Sequence, residues 1–131
     1  MIARKVDQFF GGLLLIGAIL HAFGSVANYP PRSQVLVWAL SGSLASGLLA
    51  ILNLVRAGRP ADRTLAWITF VGSLCWVAVA IGFGLAIGNI NDPRPLWHAI
   101  SALVLAGFSL RTGIGWATSA PGSQGEAEAP Q

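Results

Sequence analysis

Long stretches without an acidic or basic side chain dominate this sequence of 131 residues. No Asp, Glu, Lys or Arg occurs in the 24 residues between Asp7 and Arg32, in the 23 between Arg32 and Arg56, or in the 28 between Arg63 and Asp92. A helix needs about 20 apolar residues to cross a hydrocarbon core of about 30 Å. Each of the three stretches therefore predicts a transmembrane helix.

A fourth span is predicted near the C-terminus. The uncharged stretch from Pro95 to Leu110 has only 16 residues before Arg111 interrupts it. If the helix continues to Trp116, then Trp97 and Trp116 lie about 28 Å apart, which suits the aromatic belts at the two membrane interfaces. The Arg111 guanidinium can extend from within such a span toward the headgroups. We predict helices near residues 7–28, 34–55, 64–88 and 95–116.

The composition agrees with a membrane location and excludes other classes of protein. Hydrophobic residues make up 54% of the chain and charged residues 10%, whereas about 25% of an ordinary soluble domain is charged. This composition therefore argues against a soluble enzyme. The net charge of +3 is not clustered on one segment, so we expect no nucleic-acid partner. A single cysteine, Cys75, leaves neither an intramolecular disulfide framework nor a multi-cysteine metal site.

Basic residues indicate the orientation of the predicted helices. A cytoplasmic N-terminus puts six basic residues on or near the cytoplasmic side and two on the outer side, as the positive-inside rule requires. The six are Arg4, Lys5, Arg56, Arg59, Arg63 and Arg111, and the two are Arg32 and Arg94. We predict an all-α integral membrane four-helix bundle over residues 1–117, with both termini inside, in a bacterial inner membrane. Residues 118–131 are predicted to be a disordered cytoplasmic tail.

Two further patterns leave alternatives open. Arg4 and Lys5 precede an apolar run and the segment 25–27, an arrangement that also occurs in cleavable signal peptides. Comparison of the chain with itself at an offset of 60 residues gives ten identities across positions 10–47. This similarity suggests duplication of a two-helix hairpin, and repeats of two spans would be parallel to each other.

Small residues predict where the helices pack. In lipid, helices associate through close backbone approach and interhelical hydrogen bonds, and small residues at i and i+4 permit that approach. The predicted packing positions are Ala39, Gly42, Ser43, Ser46, Gly47, Gly82 and Gly84. Two stripes on the second helix can serve one neighbour in the chain and one in another protomer, which favours a homo-oligomer. The alternative is that Gly and Ala are simply common in membrane helices.

The two histidines are the candidate cofactor-binding residues. His21 lies about 10 Å inside the outer end of the first helix, and His98 lies in the first turn of the fourth. Both can bind a haem or hydrogen-bond a quinone, although their estimated depths differ by about 6 Å. The alternative is a pair of neutral structural imidazoles. Six polar residues would complete an outward-facing pocket: Asn28, Tyr29, Asn89, Asn91, Asp92 and Arg94.

Two other polar side chains are predicted to bond between helices. Trp76 lies near the bilayer midplane, where its indole N–H needs an acceptor such as Ser41 or Ser43. Asn53 lies near the inner end of the second helix and is expected to form an interhelical hydrogen bond.

Three function classes remain after these exclusions. No Asp or Glu lies within a predicted span, since Asp7 is only the boundary of the first, and this weakens the case for a proton-coupled exporter. No phosphate loop, metal motif or nucleophile elbow occurs. The leading hypothesis is a non-enzymatic packing or accessory subunit, in a homo-oligomer or a larger membrane complex. The alternatives are a haem- or quinone-binding redox protein that uses His21 and His98, and a small-solute transporter or channel.

Overall fold

The structure, a computed structural model, describes residues 2–115, and this part of the chain is all-α with four helices and no strand. The helices are α1 (Ile2–Asn28), α2 (Gln34–Gly58), α3 (Arg63–Ala86) and α4 (Pro93–Gly113). The inner end is the end at which α1 and α3 begin and α2 and α4 terminate, and the opposite end is the outer end. Trp116 and the predicted tail lie outside the described residues.

The sequence marks the starts of three helices with polar caps. Ser33, Asp62 and Asp92 lie at the N-caps of α2, α3 and α4, and each side chain accepts a hydrogen bond from a backbone N–H in the first turn. Such caps satisfy donors that the helix itself leaves free. After α3, Gly88 adopts a φ of +70°, a left-handed conformation that turns the chain toward α4.

The observed helix ends differ from the predicted ones. α1 begins at Ile2 instead of residue 7, and α2 continues to Gly58 instead of 55. α3 ends at Ala86 instead of 88, and α4 covers Pro93–Gly113 instead of 95–116. The predicted start of α1 and end of α2 were placed where charged residues appear, but Lys and Arg are good helix formers and do not terminate a helix. The extensions bring Asp7 and Arg56 inside helices.

Three helices, α1, α2 and α3, are long and apolar enough to cross a membrane, judged by length and composition. Within residues 2–115, α4 does not meet that criterion. Large apolar side chains are turned outward, with Phe23 76%, Trp38 69% and Leu85 64% exposed. A protein folded in water buries such side chains preferentially. The pattern is that of a multi-pass membrane protein.

The helices pack around a small apolar centre. α1 contacts α2 and α4, and α3 contacts α4 and α2. Leu14, Leu49 and Leu105 are buried together with Ala50 in the middle of this arrangement. At Gly11, an added Cβ would lie 2.8 Å from the Leu54 side chain, so the α1 backbone packs directly against that side chain of α2.

Four of the predicted packing positions share one inward face of α2. Ser43 and Ser46 are buried, and Gly42 and Gly47 are half-buried. A Cβ at Gly47 would lie 3.8 Å from Ala18, and one at Gly42 would lie 4.0 Å from Trp76. The two stripes predicted on α2 are thus one surface that packs within the chain.

The remaining packing positions have different surroundings. Ala39 is half-buried on the same side of α2. Gly84 is buried, and a Cβ there would meet the backbone of Ile90 at 3.3 Å. Gly82 is exposed, and nothing within the described part of the chain approaches within 4 Å of its Cβ position. Within residues 2–115, Gly82 packs against no other helix, and its packing against another protomer stays a prediction.

Burial does not follow the 60-residue register of the self-comparison. At that offset, the buried residues Leu14 and Ala18 correspond to Leu74 and Ala78, which are exposed. Duplicated hairpins that kept their packing would bury equivalent positions, so the burial pattern lends this register no support.

Candidate functional site

A buried ion pair lies at the inner end. The guanidinium Nη2 of Arg56 on α2 donates to Oδ1 of Asp7 on α1 at 2.5 Å, and the two side chains are 1% and 7% exposed. A charge-assisted bond of this length is among the stronger contacts available to a protein. The pair joins positions 49 residues apart in the chain.

The ion pair belongs to a larger hydrogen-bonded group that we name the inner network. Arg56 also donates to Asn53 Oδ1 and to Thr112 Oγ1, both at 3.4 Å. The Asn53 amide donates to Ser73 Oγ at 3.3 Å and accepts from Ser109 Oγ at 3.1 Å. The members of the inner network are Asp7, Asn53, Arg56, Thr69, Ser73, Ser109 and Thr112. Together they connect all four helices.

The inner network is fully satisfied. Thr69 and Ser109 share a hydrogen bond of 2.9 Å that closes it between α3 and α4. Among residues 2–115, no buried side-chain nitrogen or oxygen lacks a hydrogen-bond partner. Complete pairing of this kind rigidifies a core, whereas a partly paired network destabilises it. The prediction that Asn53 bonds across helices is consistent with these contacts.

Two sequence interpretations at the inner end are wrong. Arg56 was expected just beyond the second helix as an orienting cation, and Asp7 was expected at the boundary of the first span, outside the uncharged stretch. The structure buries both charges inside helices. One signal in the sequence indicates the position of Asp7, because it lies one turn before Gly11 and shares the buried face of α1 with Leu14 and Ala18.

A second polar group, the outer cluster, consists of His21, Trp76 and His98. The indole Nε1–H of Trp76 donates to His98 Nδ1 at 3.3 Å, so Nδ1 is unprotonated and the proton of a neutral ring is on Nε2. A Cβ at Gly17 would lie 3.1 Å from His98 Nε2, which shows that this edge of the ring rests against the α1 backbone. Trp76 therefore bonds to a histidine and not to Ser41 or Ser43.

The structure brings the two histidines together. The ring centroids of His21 and His98 are 6.4 Å apart, with the planes at 76° to each other. Haem ligation by both residues requires one free nitrogen on each, facing the iron from opposite sides. His98 has its Nδ1 bonded to Trp76 and its Nε2 against Gly17. Because neither nitrogen of His98 is free for iron, this donor set does not fit ligation of a haem by both histidines.

The six polar residues of the predicted outer pocket bond mainly to their own segments. Asp92 accepts from Arg94 Nε and Nη2 at 2.9 and 2.8 Å, and these bonds hold the pKa of the Asp92 carboxyl at about 2, below its ordinary 3.8. The Asn89 side chain accepts from the backbone N–H of Asn91 at 3.1 Å. No direct bond between these residues and either histidine is found within residues 2–115.

Asn28 and Tyr29 lie at the end of α1. The Asn28 amide donates to the backbone oxygen of Gly24 at 2.8 Å, while Tyr29 is exposed. Arg94 lies within electrostatic range of both Tyr29 and His21. Arg94 is thus close enough to act electrostatically on His21.

Trp97 connects α4 to α1 beside the outer cluster. Its Nε1–H donates to the backbone oxygen of Leu13 at 2.9 Å, although the side chain is 42% exposed. Trp97 is therefore both a helix-packing residue and an exposed aromatic residue. Within the described part of the chain, no group of three His, Cys, Asp or Glu side chains could hold a metal ion.

Comparison with protein-family models, with curated proteins and with solved structures found no match for this chain.

Proposed function

We propose that this chain is an integral protein of the bacterial inner membrane, a four-helix bundle that acts as a non-enzymatic packing or accessory subunit or as a homo-oligomer. One observation carries the proposal. The large apolar side chains face outward, whereas the buried polar ones are hydrogen-bonded to each other or to the backbone. Lipid favours this distribution because it cannot satisfy polar groups.

The geometry of α4 supports a fourth crossing. Its 21 residues make a helix of about 31 Å, close to the thickness of the hydrocarbon core. Ile100 and Leu103 are exposed along its middle, and its charges lie near its ends, where Arg94 and Arg111 reach the interfaces. The Arg111 side chain is exposed.

Charge pairing supports the orientation with both termini inside. Arg56 is neutralised by Asp7, and Arg94 is neutralised by Asp92. Removing these two cations from the counts leaves five basic residues on the inner side and Arg32 on the outer side. The excess of basic residues on the inner side, on which the positive-inside rule depends, therefore remains.

The inner network supports an accessory role over catalysis. Its one carboxylate is held by Arg56, and all of its buried polar atoms are paired. General acid–base chemistry needs a group that can exchange a proton with a substrate within hydrogen-bond reach. A network whose members bond to one another across the helices stabilises helix association instead.

A second candidate function, transport of a small solute, is favoured by the distribution of polar groups along the bundle. The inner network and the outer cluster are separated by the buried residues Leu14, Leu49 and Leu105. A hydrophobic constriction between polar regions can act as a gate. Flux measurements in liposomes test this function, and unchanged flux in a His21→Ala variant contradicts a route along the outer cluster.

Cysteine labelling tests the proposed membrane topology. In a Cys75→Ser background, Ala61→Cys reports the α2–α3 loop and Asn91→Cys reports the α3–α4 loop, and both positions are exposed. With a membrane-impermeant maleimide on intact spheroplasts, we expect labelling of the Asn91→Cys variant and no labelling of the Ala61→Cys variant until the cells are lysed. The reverse pattern contradicts the orientation.

Extraction and crosslinking test the remaining parts of the proposal. A chain that stays folded and monodisperse in the supernatant after ultracentrifugation without detergent refutes the membrane assignment. Crosslinking in native membranes is expected to give a discrete homo-oligomer or a partner complex. Recovery of monomers alone contradicts the accessory role.

A further inference from the structure

The His21 imidazole has no hydrogen bond to any group within residues 2–115, and its side chain is exposed. It lies seven residues from the outer end of α1 at Asn28, about 10 Å along the helix. In the proposed bilayer, this depth is below the headgroups, where no water is available. A polar group left unpaired in such surroundings costs free energy, so His21 requires a partner other than residues 2–115.

The neighbouring polar groups are already engaged. His98 Nδ1 accepts from Trp76, and its Nε2 edge rests against Gly17. The Ser25 hydroxyl donates to the backbone oxygen of His21 at 2.7 Å. Each of these side chains is held by a contact within the protein, and none is free to bond to the His21 ring.

The space and the charge beside His21 suit an external ligand. Gly24 lies one turn beyond His21, and nothing in the described chain lies within 4 Å of its Cβ position, so this face of α1 is open. The exposed Arg94 guanidinium is within electrostatic range of His21. Asp92 engages its Nε and Nη2, and within residues 2–115 no bond to Nη1 is found.

We propose that His21 and Arg94 form a binding site for a membrane-soluble molecule that presents an acceptor oxygen at this depth. A neutral imidazole supplies one N–H donor, and Nη1 of the Arg94 guanidinium can supply another beside its bonds to Asp92. Two sources share this chemistry, the ester carbonyl of a phospholipid and the carbonyl of a quinone. The site rests on the proposed membrane location, because only there is the ligand within reach of His21.

Histidine NMR provides a direct test, since the chain contains only two histidines. Protein labelled with 15N at the imidazoles is prepared in maltoside micelles, which contain no carbonyl group, and His21→Gln assigns the two sets of resonances. One arm adds short-chain phosphatidylglycerol, and the other adds a benzoquinone with a short isoprenoid tail. We expect a saturable shift of the His21 resonances in one arm, with smaller changes at His98. The responding arm identifies the source.

Variants separate the site from general effects of the membrane mimic. Arg94→Gln is expected to weaken binding about tenfold, the equivalent of one lost charge-assisted hydrogen bond. Arg32→Gln is the matched control, an exposed arginine in the other outer loop, and is expected to leave the affinity unchanged. Helical circular dichroism checks that each variant is folded.

Three results would overturn the proposal: no saturable His21 shift in either arm, a His98 shift that persists at the same ligand concentration in His21→Gln, or equal weakening by Arg94→Gln and Arg32→Gln. Failure of the membrane proposal is distinguishable, because it appears in cysteine labelling and extraction without any ligand. A chain with the expected topology but no His21 response refutes the binding site alone.

Discussion

Asp7→Asn removes the negative charge that neutralises Arg56 and keeps nearly the same side-chain volume. The Arg56 side chain is only 1% exposed, so its charge cannot gain compensating contact with water or headgroups without moving. Its remaining bonds, to Asn53 and Thr112, join it to neutral groups at 3.4 Å. We therefore expect a large loss in the free energy of unfolding.

The magnitude follows from the buried geometry. Removing one partner of a buried ion pair costs about 3–5 kcal/mol, because the other charge stays buried. The two weak neutral bonds that Arg56 retains place the expected loss near the lower bound, about 3 kcal/mol, or roughly a hundredfold in the unfolding equilibrium. Adding Arg56→Met to Asp7→Asn removes the uncompensated charge, so we expect the double variant to recover much of the loss.

Asp92→Asn is the matched control. Asp92 pairs with Arg94, whose side chain is 74% exposed, and exposed pairs contribute little. Asn is also an effective N-cap, so α4 keeps its first-turn hydrogen bond. Unfolding is followed by tryptophan fluorescence and circular dichroism as dodecyl sulfate is titrated into mixed micelles. The ion pair does not hold α1 to α2 if Asp7→Asn lowers the free energy of unfolding no more than Asp92→Asn does. The same conclusion follows if the loss in the double variant is the sum of the losses from Asp7→Asn and Arg56→Met alone.

Three other predictions use the same protein preparation. Gly17→Ala places a Cβ 3.1 Å from His98 and Trp97, so we expect a loss of about 1–3 kcal/mol in unfolding free energy, whereas Gly12→Ala enters open space and is expected to cause no loss. Asn53→Leu leaves buried partners on α2, α3 and α4 without its amide, and we expect a loss of about 2 kcal/mol; a neutral result would show that the inner network contributes no stability. The carboxyl 13C resonance of Asp92 is expected to titrate with a pKa of about 2. The stability that Asp92 contributes is fully present above pH 3.8 and is lost as the pH falls through about 2. Arg94→Gln is expected to raise this pKa, and an unchanged midpoint would contradict the pairing.

The helices were predictable because membrane-spanning stretches leave a local signal in the sequence. Uncharged runs of the required length located α1, α2 and α3. Most of the predicted helix ends lie within a few residues of the observed ones. The start of α1 was missed because Asp7 was treated as a boundary. A carboxylate near a helix terminus can face water or pair with a cation, and the sequence around it does not show which. The partner of Asp7, Arg56, is 49 residues away along the chain. That pairing is set by helix packing, which the charge-free stretches do not report.

The outer cluster was predictable in part. Depth along the helix placed His21 and His98 in the same half of the membrane, and the structure puts their ring centroids 6.4 Å apart. The bond from Trp76 to His98 was not predicted, since the rotation of α3 relative to α4 decides which side chain the indole reaches. Sequence spacing gives the position of a residue along its helix and the helix face on which it lies. It does not give the residue that it meets on the neighbouring helix.

The pairing of Asp7 with Arg56 also constrains how the protein is assembled during synthesis. The chain emerges from the ribosome N-terminus first, so α1 is complete before the codon for Arg56 is translated. Until α2 arrives with Arg56, the Asp7 carboxylate has no cation to pair with, so it must remain at the insertion machinery, protonated or in contact with water. We therefore expect the first hairpin to enter lipid as a unit, with α3 and α4 added afterwards.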